Sequence, residues 1–214
     1  SHKYQYHAAG RGFQLLAAQG IAVFLPNPRG STGWGLEFAE SNIGDMGGKD
    51  WEDIQAGIDH CVAIGMADPD RLGIGGASYG GFMTAWAITQ TNRFKAAVMI
   101  AGVTDWRSFH GRSYLCDWDV IHYGGADPWN PDGTYRKFSP ITFVRRANTP
   151  TLILHGEKDG DVPVEQSYLF YRALTDIGVK TELVIYPREH HGFIERNHKL
   201  DQLRRTRQWF KDRL

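Results

Sequence analysis

Short apolar runs recur along the chain in a pattern that is typical of alternating strands and helices. Five of these runs are bounded by turn-forming residues, which predicts buried strands at 21–25, 72–74, 96–100, 151–154 and 183–186. Apolar residues at helical spacing predict helices at 13–19, 51–62, 82–90, 169–177 and 198–214. Asp50 is the predicted cap of the helix that extends through Val62.

Strands and helices therefore alternate, and the strands are continuously apolar. This pattern favours a single α/β domain over residues 1–214, with a mostly parallel sheet that helices cover on both faces. Residues 103–149 interrupt the alternation with five tryptophan and tyrosine residues between Trp106 and Trp129. We expect an irregular insertion there, over one end of the sheet.

Composition excludes several classes of function. Lys plus Arg and Asp plus Glu both number 24, so the net charge is zero and the basic surface of a nucleic-acid binder is not expected. No apolar run approaches the ~18 residues that span a bilayer, so no membrane partner is expected. The only cysteines, Cys61 and Cys116, are compatible with a cytoplasmic location, which we therefore expect.

One serine lies among five glycines between a predicted strand and a predicted helix, in the stretch GIGGASYGGFM at 73–83. Residues 76–80 fit the G-x-S-x-G nucleophile elbow, a sharp turn that exposes the Ser78 hydroxyl at the carboxyl end of the sheet. The turn needs glycines because side chains beside the serine would collide. It also directs the Tyr79 N–H, at a helix N-terminus, toward an oxyanion. The alternative is a glycine-rich turn without chemistry.

A serine nucleophile needs a base, and the base needs an acid that orients it. In this fold the acid and then the base follow the serine along the chain. The strand at 151–154 runs toward Asp159 and Asp161, and the strand at 183–186 runs toward His190 and His191. Residue type and order do not decide between Asp159 and Asp161 as the acid, or between His190 and His191 as the base. A metal pair formed by the adjacent histidines is disfavoured, because their side chains point in different directions.

At these positions the chain resembles the α/β-hydrolase catalytic domain of the prolyl oligopeptidase family of serine peptidases, particularly its acylaminoacyl-peptidase and dipeptidyl-peptidase branches. The matching segments extend almost from end to end: NPRGSTGWG at 27–35, DWEDIQAGID at 50–59, DPDRLGIGGASYGGFMT at 68–84, RFKAAV at 93–98, SP at 139–140, TPTLILHGEKD at 149–159 and HHGF at 190–193.

The resemblance implies the roles of individual residues. The acid is Asp159, which follows HG-x-x, and the base is His191, which precedes Gly192. Tyr79, Tyr123 and Val162 match positions of the substrate pocket, whereas Asp161 stands where some relatives carry a polar or basic contact to the substrate. The implied partner is a peptide, no metal or organic cofactor is expected, and a homo-oligomer is compatible with the family.

The resemblance also implies a strand that ends in an HGGP-like loop and supplies a second oxyanion donor. Nothing in residues 1–10 matches it, so we expect an N-terminal segment or a second chain to complete the sheet, and the family's β-propeller to lie outside this sequence. The leading function is hydrolysis of short peptides through an acyl-enzyme. The alternatives are a carboxylesterase on the same scaffold, and a catalytically weak domain that acts by binding.

Overall fold

Four parallel strands form the sheet that the described residues contain. The computed structural model describes residues 12–115 and 117–214, so residues 1–11 and Cys116 lie outside the described residues. The strands pair in the order β1–β2–β3–β4. Their bounds are Leu72–Ala77 for β1, Phe94–Ile100 for β2, Thr151–Gly156 for β3 and Thr181–Tyr186 for β4. The predicted parallel sheet is confirmed.

Helices connect the strands and flank the sheet. The first three are α1 (Phe13–Ala17), α2 (Leu36–Glu40) and α3 (Lys49–Ala63), and α4 (Tyr79–Gln90) links β1 to β2. Three short helices follow, α5 (Trp106–Arg112), α6 (Trp118–His122) and α7 (Thr134–Lys137), and then a 3₁₀ helix at Pro140–Arg146. The last two are α8 (Glu165–Asp176) and α9 (Arg196–Lys211). No helix in the described ranges combines the length and apolar character needed to cross a membrane.

Both faces of the sheet are covered by apolar packing, as the continuously apolar strands predict. Successive strand side chains point to opposite faces. On one face, Val98 and Leu152 pack with Trp209 and Phe210 of α9 in a cluster that also includes Leu16 of α1. The other face packs against α4 and α8, through the buried side chains of Met99, Ile153, Ile88, Phe170 and Leu174.

Residues 103–115 and 117–149 form a layer of three short α-helices and one 3₁₀ helix joined by irregular segments, so the insertion that we expected to be irregular is partly helical. Its short helices were missed because each of them contains seven residues or fewer, too short a window for helical periodicity. The layer packs on the side of α4 that faces away from the sheet. Trp106, Phe109 and Phe138 are buried there against Phe82 and Trp86 of α4. Because α4 is enclosed from both sides, residues 81–89 are buried without interruption.

Two local predictions are wrong. Residues 21–25 do not form a strand, and Phe24 and Leu25 are exposed. A strand requires a neighbouring backbone that exchanges hydrogen bonds with it, and no strand of the described part of the chain pairs with this run. Asp50 is not the cap of α3, because the helix begins one residue earlier, after Gly48. Its buried carboxylate instead accepts hydrogen bonds from the backbone of Gly47 and Trp51.

The glycines around Ser78 serve different purposes. A Cβ at Gly76 would lie 2.6 Å from the carbonyl group of Gly80, and a Cβ at Gly81 would lie 2.5 Å from the carbonyl oxygen of Ile100 and 2.7 Å from Cα of Gly102. These contacts are with backbone and cannot relax cheaply. A Cβ at Gly80 would meet nothing within 4 Å, so the expected crowding holds for Gly76 and Gly81 but is wrong for Gly80.

We therefore predict opposite effects of the same change at adjacent positions. Gly81→Ala should lower the free energy of unfolding by about 1–3 kcal/mol, because the methyl group forces α4 away from β2. Gly80→Ala should leave stability unchanged or raise it by up to about 1 kcal/mol, because alanine is the better helix former. Urea denaturation of both variants tests this, and equal stabilities would show that α4 does not lie this close to β2.

Candidate active site

Ser78 occupies the junction between β1 and α4 in a backbone conformation that serine rarely adopts. Its φ is 59° and its ψ is −120°. Such angles cost about 1–3 kcal/mol and persist only where the surroundings enforce them. Here the Ser78 N–H donates to the carbonyl oxygen of Ile100 at 2.9 Å, and the Ser78 carbonyl accepts from the Phe82 N–H at 2.9 Å. The residue is thereby fixed both to β2 and to the first turn of α4.

The structure brings Ser78, Asp159 and His191 into one chain of hydrogen bonds. His191 Nε2 lies 2.8 Å from Ser78 Oγ, and His191 Nδ1 lies 2.7 Å from Asp159 Oδ2. Asp159 follows β3, and His191 lies in the loop between β4 and α9. Because β1, β3 and β4 are parallel, their carboxyl ends meet at one edge of the sheet, and residues 113 positions apart come into contact.

Asp159 is a buried carboxylate with four partners. Its Oδ1 accepts from the backbone N–H groups of Asp161 at 3.0 Å and Val162 at 2.9 Å. Its Oδ2 lies next to His191 and is 3.1 Å from His155 Nε2. Burial by itself raises the pKa of Asp159, but the hydrogen bonds from His155 and His191 outweigh burial and lower the pKa to about 2. The carboxylate therefore carries its charge at neutral pH.

His155 is a member of the site that the sequence analysis missed. Its side chain is fully buried, with Nδ1 2.6 Å from Ser167 Oγ and Nε2 2.9 Å from the carbonyl oxygen of Val162. Because Nε2 faces two acceptors, this carbonyl and Asp159, the ring donates to them from Nε2. His155 and His191 thus contact the same carboxylate oxygen of Asp159, Oδ2. The HG-x-x-D motif contains His155 but does not reveal this contact.

The environment of His191 favours its charged form. Burial lowers the pKa of His191, but the hydrogen bond and charge of Asp159 and the nearby charge of Asp161 raise it above its ordinary value. His191, rather than the exposed His190, contacts both Ser78 and Asp159. Asp159, rather than Asp161, is the carboxylate that bonds to it. The geometry thus distinguishes the pairs that residue type and order left open.

The three residues matched to the substrate pocket belong to one apolar cluster beside Ser78. Tyr123 and Val162 are buried in it, and Tyr79 packs against it with its ring 5.3 Å from that of Phe82. The Tyr123 ring stands edge-on to Trp106 at 5.4 Å. The hydroxyl of Tyr123 is buried and has no hydrogen-bond partner within the described part of the chain. The cluster is therefore aromatic, and the described residues leave three of its polar atoms unpaired, namely the Tyr123 hydroxyl and the indole N–H groups of Trp86 and Trp106.

Asp50 is a second residue that the sequence analysis did not connect to the site. The Tyr79 hydroxyl donates to Asp50 Oδ2, so the residue next to Ser78 is tied to the start of α3. Burial raises the pKa of Asp50 to about 6, although the hydrogen bonds from Tyr79 and from the backbone act in the opposite direction. Burial also raises the pKa of Tyr79, together with the adjacent Asp50 charge.

Glu189, Glu195 and His198 form the one group with metal-ligand character in the described ranges, with candidate ligand atoms within 4.8 Å of one another. The Glu189 carboxylate already accepts from the backbone N–H groups of Ile194 at 2.7 Å and Glu195 at 2.8 Å. His198 Nδ1 already lies 2.9 Å from Glu189 Oε1, and a cation bound by this nitrogen would have to displace that hydrogen bond, so the donor set does not favour a metal.

The lowered pKa of Asp159 predicts how stability depends on pH. A carboxyl group whose pKa is about 2 in the folded state and 3.8 in the unfolded chain stabilises the fold above about pH 4, and this contribution is lost as the pH falls through 2. The lost contribution is about 2 kcal/mol. The stability difference between wild type and Asp159→Asn should therefore shrink between about pH 5 and pH 2.5 in urea titrations.

Asp176→Asn is the matched control, because its partner Arg172 lies on the exposed surface of α8. That variant should follow the wild-type pH dependence. A constant difference between wild type and Asp159→Asn across the same range would contradict the strong pairing of Asp159.

Comparison with known proteins gives a consistent assignment. The model of the prolyl oligopeptidase family matches residues 7–214. An uncharacterized peptidase, YuxL, from Bacillus subtilis is 39% identical over 100% of this chain, which covers 33% of that relative. The acylamino-acid-releasing enzyme of Arabidopsis thaliana is 32% identical over 85% of this chain and 25% of its own length.

Solved structures of peptidases share the fold. The acylaminoacyl peptidase of Pyrococcus horikoshii superposes with a TM-score of 0.83 at 33% identity, over 88% of this chain and 32% of its own. A puromycin-hydrolyzing peptidase of Mycobacterium tuberculosis gives 0.81 at 33% identity, over 88% of this chain and 29% of its own. The α/β-hydrolase fold is thereby confirmed, and the chain spans a third or less of the length of these relatives. The chain belongs to the prolyl oligopeptidase family.

Proposed function

We propose that this chain carries the nucleophile, base and acid of a serine peptidase that hydrolyses short peptides through an acyl-enzyme. The observation that carries the proposal is the continuous hydrogen-bond chain from Ser78 through His191 to Asp159. A serine hydroxyl is unreactive without a base that removes its proton, and a histidine needs a fixed tautomer to act as that base. The distances from His191 to Ser78 and to Asp159 support both conditions.

Each step has an assigned residue. Ser78 Oγ attacks the scissile carbonyl while His191 Nε2 takes its proton, and His191 then gives that proton to the leaving amine. Asp159 keeps the His191 proton on Nδ1 and stabilises the imidazolium that forms. Water, deprotonated by the same nitrogen, then hydrolyses the ester on Ser78 and releases the acyl product. Side chains perform every proton transfer, and the proposal includes no cofactor.

The Tyr79 N–H is the first proposed oxyanion donor. Tyr79 is the first residue of α4, so its N–H has no acceptor one turn earlier in the helix, and the helix dipole favours negative charge there. One donor of this kind is worth about 10²–10³ in rate. The family resemblance places the second donor in an HGGP-like loop, which we propose is supplied by another segment or chain.

The aromatic cluster beside Ser78 favours substrates with an apolar residue before the scissile bond. Tyr79, Tyr123 and Val162 would form the pocket walls for that side chain. The names of the relatives point to related substrates, namely acylated amino acids and puromycin. We therefore propose short peptides, including N-acylated ones, as the substrate class.

Chromogenic substrates separate this proposal from its alternatives. The full-length protein should hydrolyse N-acetylated or dipeptidyl p-nitroanilides with an apolar residue before the bond, and Ser78→Ala should reduce kcat at least about 10³-fold. A p-nitrophenyl ester is the comparison substrate. Turnover of the ester without the anilides would favour the carboxylesterase alternative. A folded protein that turns over neither would favour a binding domain.

Asp161 offers a prediction about pH. The acid limb of the pH profile of kcat/KM reports the pKa of the general base in the free enzyme, which is His191 in this proposal. The charge of Asp161 contributes to the raised pKa of His191. Asp161→Asn should therefore shift this limb to lower pH, by less than about one unit because the side chain is partly exposed. Asp161→Glu retains the charge and should keep the wild-type profile. A shift to higher pH in Asp161→Asn would contradict this account of His191.

A further inference from the structure

The loop between β4 and α9 carries His191 and contains a buried carboxylate that the proposed mechanism does not use. This residue, Glu189, is 2% exposed. Buried charges are costly unless several donors compensate them, so such a group needs a structural explanation.

The Glu189 carboxylate closes the loop around His191. Its Oε2 accepts from the Ile194 N–H at 2.7 Å, and its Oε1 accepts from the Glu195 N–H at 2.8 Å and lies 2.9 Å from His198 Nδ1. Both backbone donors lie on the far side of His191 in the chain. The side chain therefore joins the two ends of a short backbone ring that contains the proposed base.

The backbone of Glu189 connects the same loop to the acid. The Lys158 N–H, next to Asp159, donates to the Glu189 carbonyl oxygen at 2.8 Å. At the end of β3, a Cβ on Gly156 would lie 2.4 Å from the His190 carbonyl oxygen and 2.6 Å from that of Glu189. The loop with the acid and the loop with the base are thus packed without spare room, and they meet at residue 189.

The hydrogen-bond donors around the Glu189 side chain suit a charged carboxylate rather than a neutral amide. Burial raises the pKa of Glu189, but the N–H groups of Ile194 and Glu195 and the contact with His198 outweigh burial and lower the pKa below its ordinary value. Both oxygens accept hydrogen bonds. A glutamine has one carbonyl oxygen, so its amide NH₂ would face a backbone donor. The other carboxylate in the loop, Glu195, bonds instead to the exposed side chain of Arg188 at 2.8 and 2.9 Å.

We propose that Glu189 is a positioning residue that holds His191 Nε2 against Ser78 Oγ, by closing the base loop and fixing it to the acid loop. This inference rests on the proposed function, because it assigns Glu189 to the same reaction. A displacement of about 1 Å in a reacting group can cost about 10²-fold in rate. Loss of one Glu189 hydrogen bond should thus reduce turnover without changing the substrate pocket.

The test compares Glu189→Gln with Glu195→Gln in the full-length protein. Both variants remove one carboxylate charge from the same loop. Active sites are titrated to completion with a fluorophosphonate, so that kcat is expressed per reactive serine, and the anilide substrate gives KM. Glu189→Gln should lower kcat about 10–100-fold with KM within about twofold of wild type. Glu195→Gln should keep wild-type values of both.

A merely structural role gives a different result. If Glu189 only stabilises the fold, Glu189→Gln lowers Tm or the number of titrated sites but keeps the wild-type kcat per site, and the inference is overturned. Equal losses in Glu189→Gln and Glu195→Gln also overturn it, because loop charge would then explain the effect. An inactive wild type would contradict the proposed function itself, whereas an active wild type with an equally active Glu189→Gln contradicts this inference alone.

Glu189→Asp decides the matter if the glutamine variant fails to fold. Aspartate retains the charge but is one carbon shorter, so it cannot reach both the Ile194 and Glu195 N–H groups. We expect kcat per site to fall about 10-fold with an unchanged KM. A wild-type kcat per site in Glu189→Asp would overturn the inference.

Discussion

The strained, positive-φ backbone of Ser78 is the constraint on which the site depends. Its φ of 59° is unfavourable for serine, and the conformation persists because β1, α4 and β2 surround it. Gly81 lies against the backbone of β2 without room for a Cβ, which holds the start of α4 at the sheet. The hydroxyl consequently projects from the carboxyl end of the sheet. The same turn places the Tyr79 N–H at a helix N-terminus, where negative charge is favoured.

The rest of the site follows from a parallel sheet and from the compensation of one buried charge. Strands β3 and β4 deliver Asp159 and His191 to the edge where Ser78 projects. Asp159 remains ionised because two backbone N–H groups, His155 and His191 all bond to it. The loops that carry Asp159 and His191 are then joined through Glu189. The hydrogen bond between His191 Nε2 and Ser78 Oγ therefore depends on the contacts that fix Asp159 and the loop of His191.

Local patterns predicted the parts of this structure that local residues determine. Strands β2, β3 and β4 each contain a continuous apolar run, and the elbow around Ser78 is marked by its glycines. The contacts of His155, Asp50 and Glu189 were not predictable, because each depends on which segments the fold brings together. The run at 21–25 has the composition of a strand, yet composition cannot show whether a neighbouring strand exists to pair with it. The helices within 103–149 are too short to show helical periodicity in the sequence. Aromatic packing against α4 stabilises them.

Covalent labelling of Ser78 tests the central claim most directly. The protein is incubated with a fluorophosphonate, and intact mass and peptide mapping locate the adduct, with circular dichroism as the measure of folding. The account predicts a single adduct on Ser78, absent from Ser78→Ala and formed much more slowly in Asp159→Asn. A folded protein that forms no adduct, or an adduct at another residue, would contradict the claim that His191 and Asp159 activate Ser78.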